Sequence, residues 1–277
     1  MAEEAENNGV VIRSTGSWYE VRNSEGHVIS CKIKGKFKMA GIKSTNPIAV
    51  GDHVTFVPQK GEETAVIDGI LPRSNYIIRK STKLSKQTHI IAANIDHAFL
   101  VITISQPRTS TGFVDRFLAT AEAYHIPSVL VFNKTDLNTP SENETQKNLI
   151  KTYHEIGYTC IETCAITALE QEKLKDLMKN CTSLFSGHSG VGKSALVNAI
   201  QPGLKLKTSE ISDFNLKGKH TTTFAEMHPL HFGGFIIDTP GIKEFGLVDF
   251  EKQQLSDYFP EIRDRMHLCK FNNCLHY

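Results

Sequence analysis

Little in this 277-residue sequence points to a membrane or to export. No stretch approaches the roughly 18 uninterrupted apolar residues that a membrane helix needs, which excludes a helical span. The first eight residues are acidic and polar, without the basic start and apolar run of a secretory leader, and are expected to be a frayed end. Net charge is almost absent. The 31 Lys and Arg against 30 Asp and Glu leave +1, so a nucleic-acid partner has to be argued from local clusters. Cysteine is sparse as well: Cys31, Cys160, Cys164, Cys181, Cys269 and Cys274 are scattered along the chain. That pattern argues against a disulfide scaffold and for a reducing compartment, where thiols stay free or bind metal; the cytoplasm is the expected location. There is no internal repeat and no low-complexity tract. What remains is ordinary globular composition, 40% hydrophobic and 22% charged, in a length that suits two or three domains.

Along the chain, residues 10–13, 18–22, 28–33, 53–58 and 64–70 read as short strands separated by glycine-containing breaks, with no convincing helix among them. This predicts a small β-barrel of the OB type over 1–72. The texture then changes. A continuous apolar run at 98–104 predicts a buried parallel strand, and strand-like segments at 128–132, 159–162 and 183–186 alternate with helical patterns at 113–124, 147–156, 169–179 and 193–200. Two further strands at 224–230 and 232–237 are expected as an antiparallel pair. The alternation predicts an α/β domain over 73–247 with a mainly parallel sheet. A helical stretch at 250–268 opens a C-terminal segment, 248–277.

The chemistry sits in the α/β part. Gly187-His188-Ser189-Gly190-Val191-Gly192-Lys193-Ser194 fits G-x-x-x-x-G-K-[ST] and lies between an apolar strand and a helical run. Glycines let the backbone curl so that successive N–H groups, through Ala195, converge on phosphate oxygens, and the following helix N-terminus adds favourable potential. Lys193 supplies charge to the β- and γ-phosphates, and Ser194 offers a hydroxyl to Mg²⁺. Asn133-Lys134-Thr135-Asp136 follows a second apolar strand and matches N-K-x-D. The Asp136 carboxylate can accept from the ring N1–H and the exocyclic amine of guanine, a pair that adenine does not present. Asp238-Thr239-Pro240-Gly241 follows a third strand, with Asp238 placed to hold Mg²⁺ through water and the Gly241 amide to meet the γ-phosphate. In Gly218-Lys219-His220-Thr221-Thr222-Thr223, a threonine can complete the Mg²⁺ shell; Thr222 is favoured and Thr223 competes. Thr163-Cys164-Ala165 resembles the loop whose backbone supports the guanine O6.

Their order is unusual. N-K-x-D at 133–136 and Thr-Cys-Ala at 163–165 precede the phosphate loop at 187–194, the threonines at 221–223 and D-x-x-G at 238–241. Ordinary Ras-like domains run 1-2-3-4-5; here the order is 4-5-1-2-3, a circular permutation that leaves the spatial site intact.

With these motifs the chain resembles the ribosome small-subunit-dependent GTPase A family of bacteria over essentially its full length. The phosphate loop and G-K-H-T-T-T strings are the specific part, since N-K-x-D and D-T-P-G are common to GTPases. The resemblance implies an OB-fold, a permuted GTPase domain and a zinc-binding segment. It also implies a role in late maturation of the 30S subunit, with GTP and GDP as ligands, 16S rRNA as a contact and hydrolysis stimulated by the particle. Ile242 stands where Ras-like enzymes carry the water-orienting glutamine, so the isolated protein is expected to be slow, with the partner ordering the switch or repositioning His220.

Two further patterns address partners. Lys32, Lys34, Lys36 and Lys38 alternate along one strand face, which suits an RNA backbone and equally suits a strand edge protected from aggregation; Arg79, Lys80, Lys83 and Lys86 form a second basic cluster. Trp18 and Tyr19 are candidates for stacking on bases, with at least one of them expected in the core. Cys269-x4-Cys274-x-His276 has spacing that suits zinc. The family pattern continues with a cysteine six residues further on, past Tyr277, so the zinc ligands are expected to be incomplete in this chain. A monomer is the simplest expectation. Competing readings are a permuted GTPase acting on another ribosomal particle and a nucleotide-gated RNA-binding protein with little hydrolysis.

Overall fold

Alternation of buried with more exposed residues, interrupted by two bulges, shapes the first five strands. The computed structural model describes residues 7–33, 47–59, 61–80, 88–204, 225–238, 252–270 and 274. Strands β1 (Asn7–Ser14), β2 (Tyr19–Asn23), β3 (Val28–Ile33), β4 (His53–Pro58) and β5 (Thr64–Ile70) fall where the sequence pattern puts them. Their inward residues, Val11, Tyr19, Val21, Cys31, Val54, Phe56, Ala65 and Ile67, pack with Ile48 into one apolar cluster. The strands pair in the order β1-β2-β3-β5-β4 and close through β4–β1, with β3 and β5 parallel and every other pair antiparallel. Closure leaves no open sheet edge, and the connectivity is that of an OB-type barrel.

A hairpin that the sequence pattern did not suggest, β6 (Tyr76–Lys80) and β7 (Thr88–Ala93), leads out of the barrel. The second domain is a six-stranded sheet. β8 (His97–Ile102), β9 (Ser128–Phe132), β10 (Thr159–Glu162), β11 (Thr182–Ser186) and β13 (Phe235–Asp238) are parallel, and β12 (Glu226–Pro229) runs antiparallel beside β13. The spatial order is β10-β9-β8-β11-β13-β12. On one face, Leu100, Ile102, Leu130 and Phe132 pack with Val114, Phe117 and Leu118 of α1 (Thr111–Ala123). On the other, Phe99, Val101, Val129 and Val131 pack with Leu174 and Met178 of α3 (Gln171–Met178) and with Leu196, Val197 and Ile200 of α4 (Lys193–Ile200). Burial on both faces explains why β8 reads as an unbroken apolar run.

Helix α2 (Pro140–Ile156) starts seven residues before the expected 147. Thr139 and Glu142 form a reciprocal capping box and Pro140 opens the first turn, a start signal that outweighs the polar character of the following residues. The expected helix at 250–268 is a correction in the other direction. The described part is a 3-10 turn at Lys252–Tyr258, the single turn α5 (Pro260–Arg263) and another 3-10 turn at Met266–Leu268. Pro260 cannot continue a helix from the preceding turn, so it begins a new one. Arg263 donates to Glu122 at the end of α1, 3.0 Å away, and ties this segment to the sheet domain. No helix among the described residues is long and apolar enough to cross a membrane.

The two domains meet chiefly at the N-terminal ends of the parallel strands, and β1 also pairs antiparallel with β12 at Arg13 and Glu226. Val10 and Ile12, on the outer side of β1, pack against the sheet domain's core while Val11 faces the barrel. Arg73 grips the fully buried Asp52 with two hydrogen bonds of 2.6 Å and reaches Pro47 O at 2.8 Å. Asn75 makes a reciprocal pair with the backbone of Ile95, both bonds 2.8 Å. Asn94 donates to Gly51 O at 2.9 Å and accepts from Ser74 N at 2.9 Å. Gly51 has φ +89, and a Cβ there would meet Ala93 O at 2.1 Å, so this approach requires glycine.

Candidate active site

The C-terminal ends of β10, β9, β8, β11 and β13 lie side by side, and all but β8 run into one of the expected motifs. Ligands of open α/β sheets bind at this edge, because the loops there converge while the strand bodies stay buried. β11 leads into the 187–192 loop, which turns on glycines with φ of 141 at Gly187, 82 at Gly190 and 94 at Gly192, and then into α4. Gly192 is constrained twice, by its left-handed backbone and because a Cβ there would sit 2.5 Å from Asn133 Nδ2. Val191 is buried and anchors the loop, whereas Ser189 and Gly190 are exposed. Lys193 folds over the loop and donates to Gly187 O and His188 O, each at 2.7 Å. Ser194, half-buried in the first turn of α4, and the exposed Ala195 follow.

Asn133 ties three motifs together. Its Nδ2 donates to Val191 O at 2.9 Å, and its Oδ1 accepts from Thr163 Oγ1 at 3.1 Å. Asn133 and Thr163 are both buried, so each bond is shielded from competing water. Lys134 adopts φ 60 and sends its stem past Gly192 to donate to Gln106 O at 2.9 Å. Asp136 is exposed, and one of its oxygens accepts from the buried Cys164 thiol at 3.0 Å. That sulfur in turn accepts from Thr167 N at 3.4 Å. Ala165 is half-exposed beside them and its carbonyl accepts from Gln171 Nε2 at 3.4 Å.

Sequence reasoning missed the loop after β8. Thr103 Oγ1 donates to Pro107 O and fixes it. Pro107 borders Gly190, Gln106 receives Lys134, and Phe113 at the start of α1 stacks on His188 with ring centroids 4.0 Å apart. The available signal was position alone: this loop leaves the same sheet edge as the motifs.

β13 places Asp238 at its C-terminal end, one strand from the phosphate loop. His220, Thr222, Thr223 and Gly241 lie outside the described residues, as do Ile242, Lys34, Lys36, Lys38, Lys83, Lys86 and His276. Lys32 is exposed at the end of β3, and Arg79 and Lys80 belong to β6. A hydroxyl at Ser194 and a carboxylate at Asp238 are hard oxygen donors of the kind Mg²⁺ prefers. Cys269 and Cys274 share a thiol–thiol hydrogen bond; partial burial first, and then the neighbouring sulfur, pushes the Cys269 thiol up. No cluster of three metal-binding side chains occurs among the described residues.

Comparison with known proteins agrees with this geometry. The family described as RsgA GTPase matches residues 70–248, and the RsgA N-terminal domain matches residues 8–67. A small ribosomal subunit biogenesis GTPase RsgA of Christiangramia forsetii is 56% identical over 270 residues, covering 97% of this chain and 86% of that protein. One from Bacteroides fragilis is 51% identical over 268 residues, again 97% and 86%. Among solved structures, YjeQ from Thermotoga maritima superposes with a TM-score of 0.80 at 35% identity, covering 98% of this chain and 87% of that one. YloQ, described as a circularly permuted GTPase, gives 0.74 at 29% identity, covering 100% and 85%.

Proposed function

The chain belongs to the RsgA GTPase family, and on that premise we propose that it hydrolyses GTP while assisting late maturation of the small ribosomal subunit. GTP and GDP are its nucleotides and the 30S subunit is its particle. The observation that carries this reading is the Asn133 bridge, which fastens the base-reading segment to the phosphate loop although 58 residues separate it from Val191.

Each residue then has a task. Asp136, oriented by the Cys164 thiol, accepts from the guanine N1–H and amine, with the Lys134 stem along the ring and the Cys164–Ala165 backbone at O6. The amides of 187–195 and the α4 N-terminus surround the phosphates. Lys193 exchanges its two carbonyl partners for phosphate oxygens, so that its charge is already at the loop when the triphosphate arrives. Ser194, Thr222 and Asp238 would hold Mg²⁺, which when bound would supply positive charge to the phosphate oxygens. The Gly241 amide meets the γ-phosphate. Ile242 cannot orient water, so His220 takes that role once the particle has ordered the switch.

Cys269, Cys274 and His276 would contribute three ligands to a Zn²⁺ site that is incomplete in this chain, thiolate and imidazole being donors that suit the ion. Lys32, Lys34, Lys36 and Lys38 face 16S rRNA. The protein acts as a monomer in the cytoplasm. Single-turnover GTP hydrolysis tests the assignment: turnover is expected to be slow alone, stimulated by 30S particles and unaffected by 50S. His220→Ala is expected to abolish the stimulation, and stimulation that survives it removes His220 from the mechanism. Absence of turnover under every condition would replace the enzyme reading with a nucleotide-gated binding protein.

A further inference from the structure

Outside the nucleotide site, one row of side chains crosses four strands of the barrel. Arg13 is the register partner of Glu20, Glu20 of Ser30, and Ser30 of Thr64, so the four stand in line across β1, β2, β3 and β5. Their neighbours Tyr19 and Cys31 are buried in the barrel, and the pleat therefore sends this row outward. With Thr15, Trp18 and Tyr19 the row lines a cleft of about 310 Å³. The wall of the cleft is Trp18, at the end of the β1–β2 turn. Trp18 is the chain's single tryptophan and is 39% exposed. Lys32, next outward along β3, holds its ammonium 4.2 Å from the Trp18 ring centroid.

We infer that this cleft takes one unstacked base of an RNA strand, its face against Trp18, with Lys32 moving from the ring to the adjoining phosphate. The size is at the small end of ligand pockets, roughly 300–1,000 Å³, which admits one base and not a run of them. The floor is a poor phosphate cradle. Arg13 is already balanced by Glu20 and Glu226, each 3.3 Å away, and the Glu20 carboxylate repels an anion. Those same groups, with the Ser30 hydroxyl, offer donors and acceptors to a base edge. Aromatic stacking on a base outweighs an exposed cation–ring contact, so the exchange of Lys32 for a base is downhill. A duplex covers its base faces by stacking and offers Trp18 only those of its two terminal pairs. OB-type barrels use this face, strands 2 and 3 with the first loop, for oligonucleotides. The inference rests on the small-subunit reading, in which the barrel meets ribosomal RNA.

Because Trp18 is the single tryptophan, its fluorescence reports the contact directly. Titrating the full chain with a short oligouridine and with a blunt RNA duplex of equal length is expected to give saturable quenching by the single strand, at least about tenfold tighter than by the duplex. Anisotropy of labelled oligouridine is expected to show Trp18→Phe binding nearly as the native chain and Trp18→Ala about tenfold weaker. Lys32→Ala should lower the salt slope by about one. Binding without a fluorescence change, equal quenching by duplex, full affinity in Trp18→Ala, or no oligouridine binding would each overturn the inference. If 30S-stimulated hydrolysis persists while Trp18 is silent, only this inference falls; if Trp18 is quenched but 30S particles do not stimulate, the small-subunit reading falls instead.

Discussion

The two ends of the parallel sheet belong to the same strands yet are built on opposite principles. At the N-terminal ends, where the barrel docks, several polar side chains are held by fixed protein partners: Asp52 by Arg73, Asn75 by Ile95, Asn94 by Gly51 and Ser74, although Arg73 Nη1 and the hydroxyls of Ser128 and Ser183 are buried there without a hydrogen-bond partner among the described residues. At the C-terminal ends the working groups stay exposed, as at Asp136, Ser189 and Gly190, or hold provisional partners, as Lys193 does. One end spends its polar groups on rigidity, and the other keeps them available for a ligand. Substitutions at the two ends should therefore separate stability from chemistry.

The largest effect is expected at the ligand end. Lys193→Ala should lower single-turnover GTP hydrolysis by about a hundredfold or more, since a group that meets developing charge is lost, while the thermal midpoint stays nearly unchanged. A large drop in the midpoint would erase the contrast. The mirror experiment is Asp52→Ala. It strands the Arg73 guanidinium in a buried site and should cost about 3–5 kcal/mol, read as a fall of several degrees or more in the thermal midpoint. Nucleotide affinity in that variant should match the native chain. Pairing Asp52→Leu with Arg73→Met should recover much of the loss, because both charges then leave the junction.

These contrasts bear on how far the sequence could be read. The phosphate loop, N-K-x-D and D-x-x-G are contiguous strings whose chemistry is local, and the strands that present them carry apolar runs, so motif and context were both visible. The barrel was visible because period-two alternation fixes its strands. Whether Trp18 or Tyr19 faces the core depends on the phase of that alternation, and only pairing of Tyr19 with Cys31 sets it. The loop at Gln106–Pro107 and the thiol of Cys164 on Asp136 join segments tens of residues apart, and nothing in either string announces the other. The break at Pro260 was legible in principle but outweighed by the helical look of its surroundings, and the capping box at Thr139 by the polar character of the residues after it. His220, Thr222, Gly241, Lys34, Lys36, Lys38 and His276 lie outside the described residues.

A smaller effect sharpens the ligand end further. Cys164→Ala removes a hydrogen bond to a carboxylate and should weaken GTP binding by about tenfold, whereas Cys164→Ser should stay near the native value. Equal affinities for all three would make the contact idle.

The smallest effect compares the two domains. Burial pushes the thiols of Cys31, in the barrel, and Cys160, in the sheet domain, up to about 11 from 9.0. The fold favours the neutral thiol, so the unfolded chain ionises first as pH rises. The stabilisation is complete below about 9 and is lost between there and about 11. Urea unfolding at the two ends of that window should show the loss, and Cys31→Val should reduce it by the barrel's share. An unchanged pH dependence in Cys31→Val would remove Cys31 as a source.

The central claim is that segments permuted along the chain converge into one guanine-reading site. Dissociation constants of the full chain for GTP and ATP, measured side by side with Mg²⁺ present, test it most directly. A preference for GTP of at least about a hundredfold is expected, since adenine would leave Asp136 unpaired. Equal affinity for the two nucleotides would contradict the account.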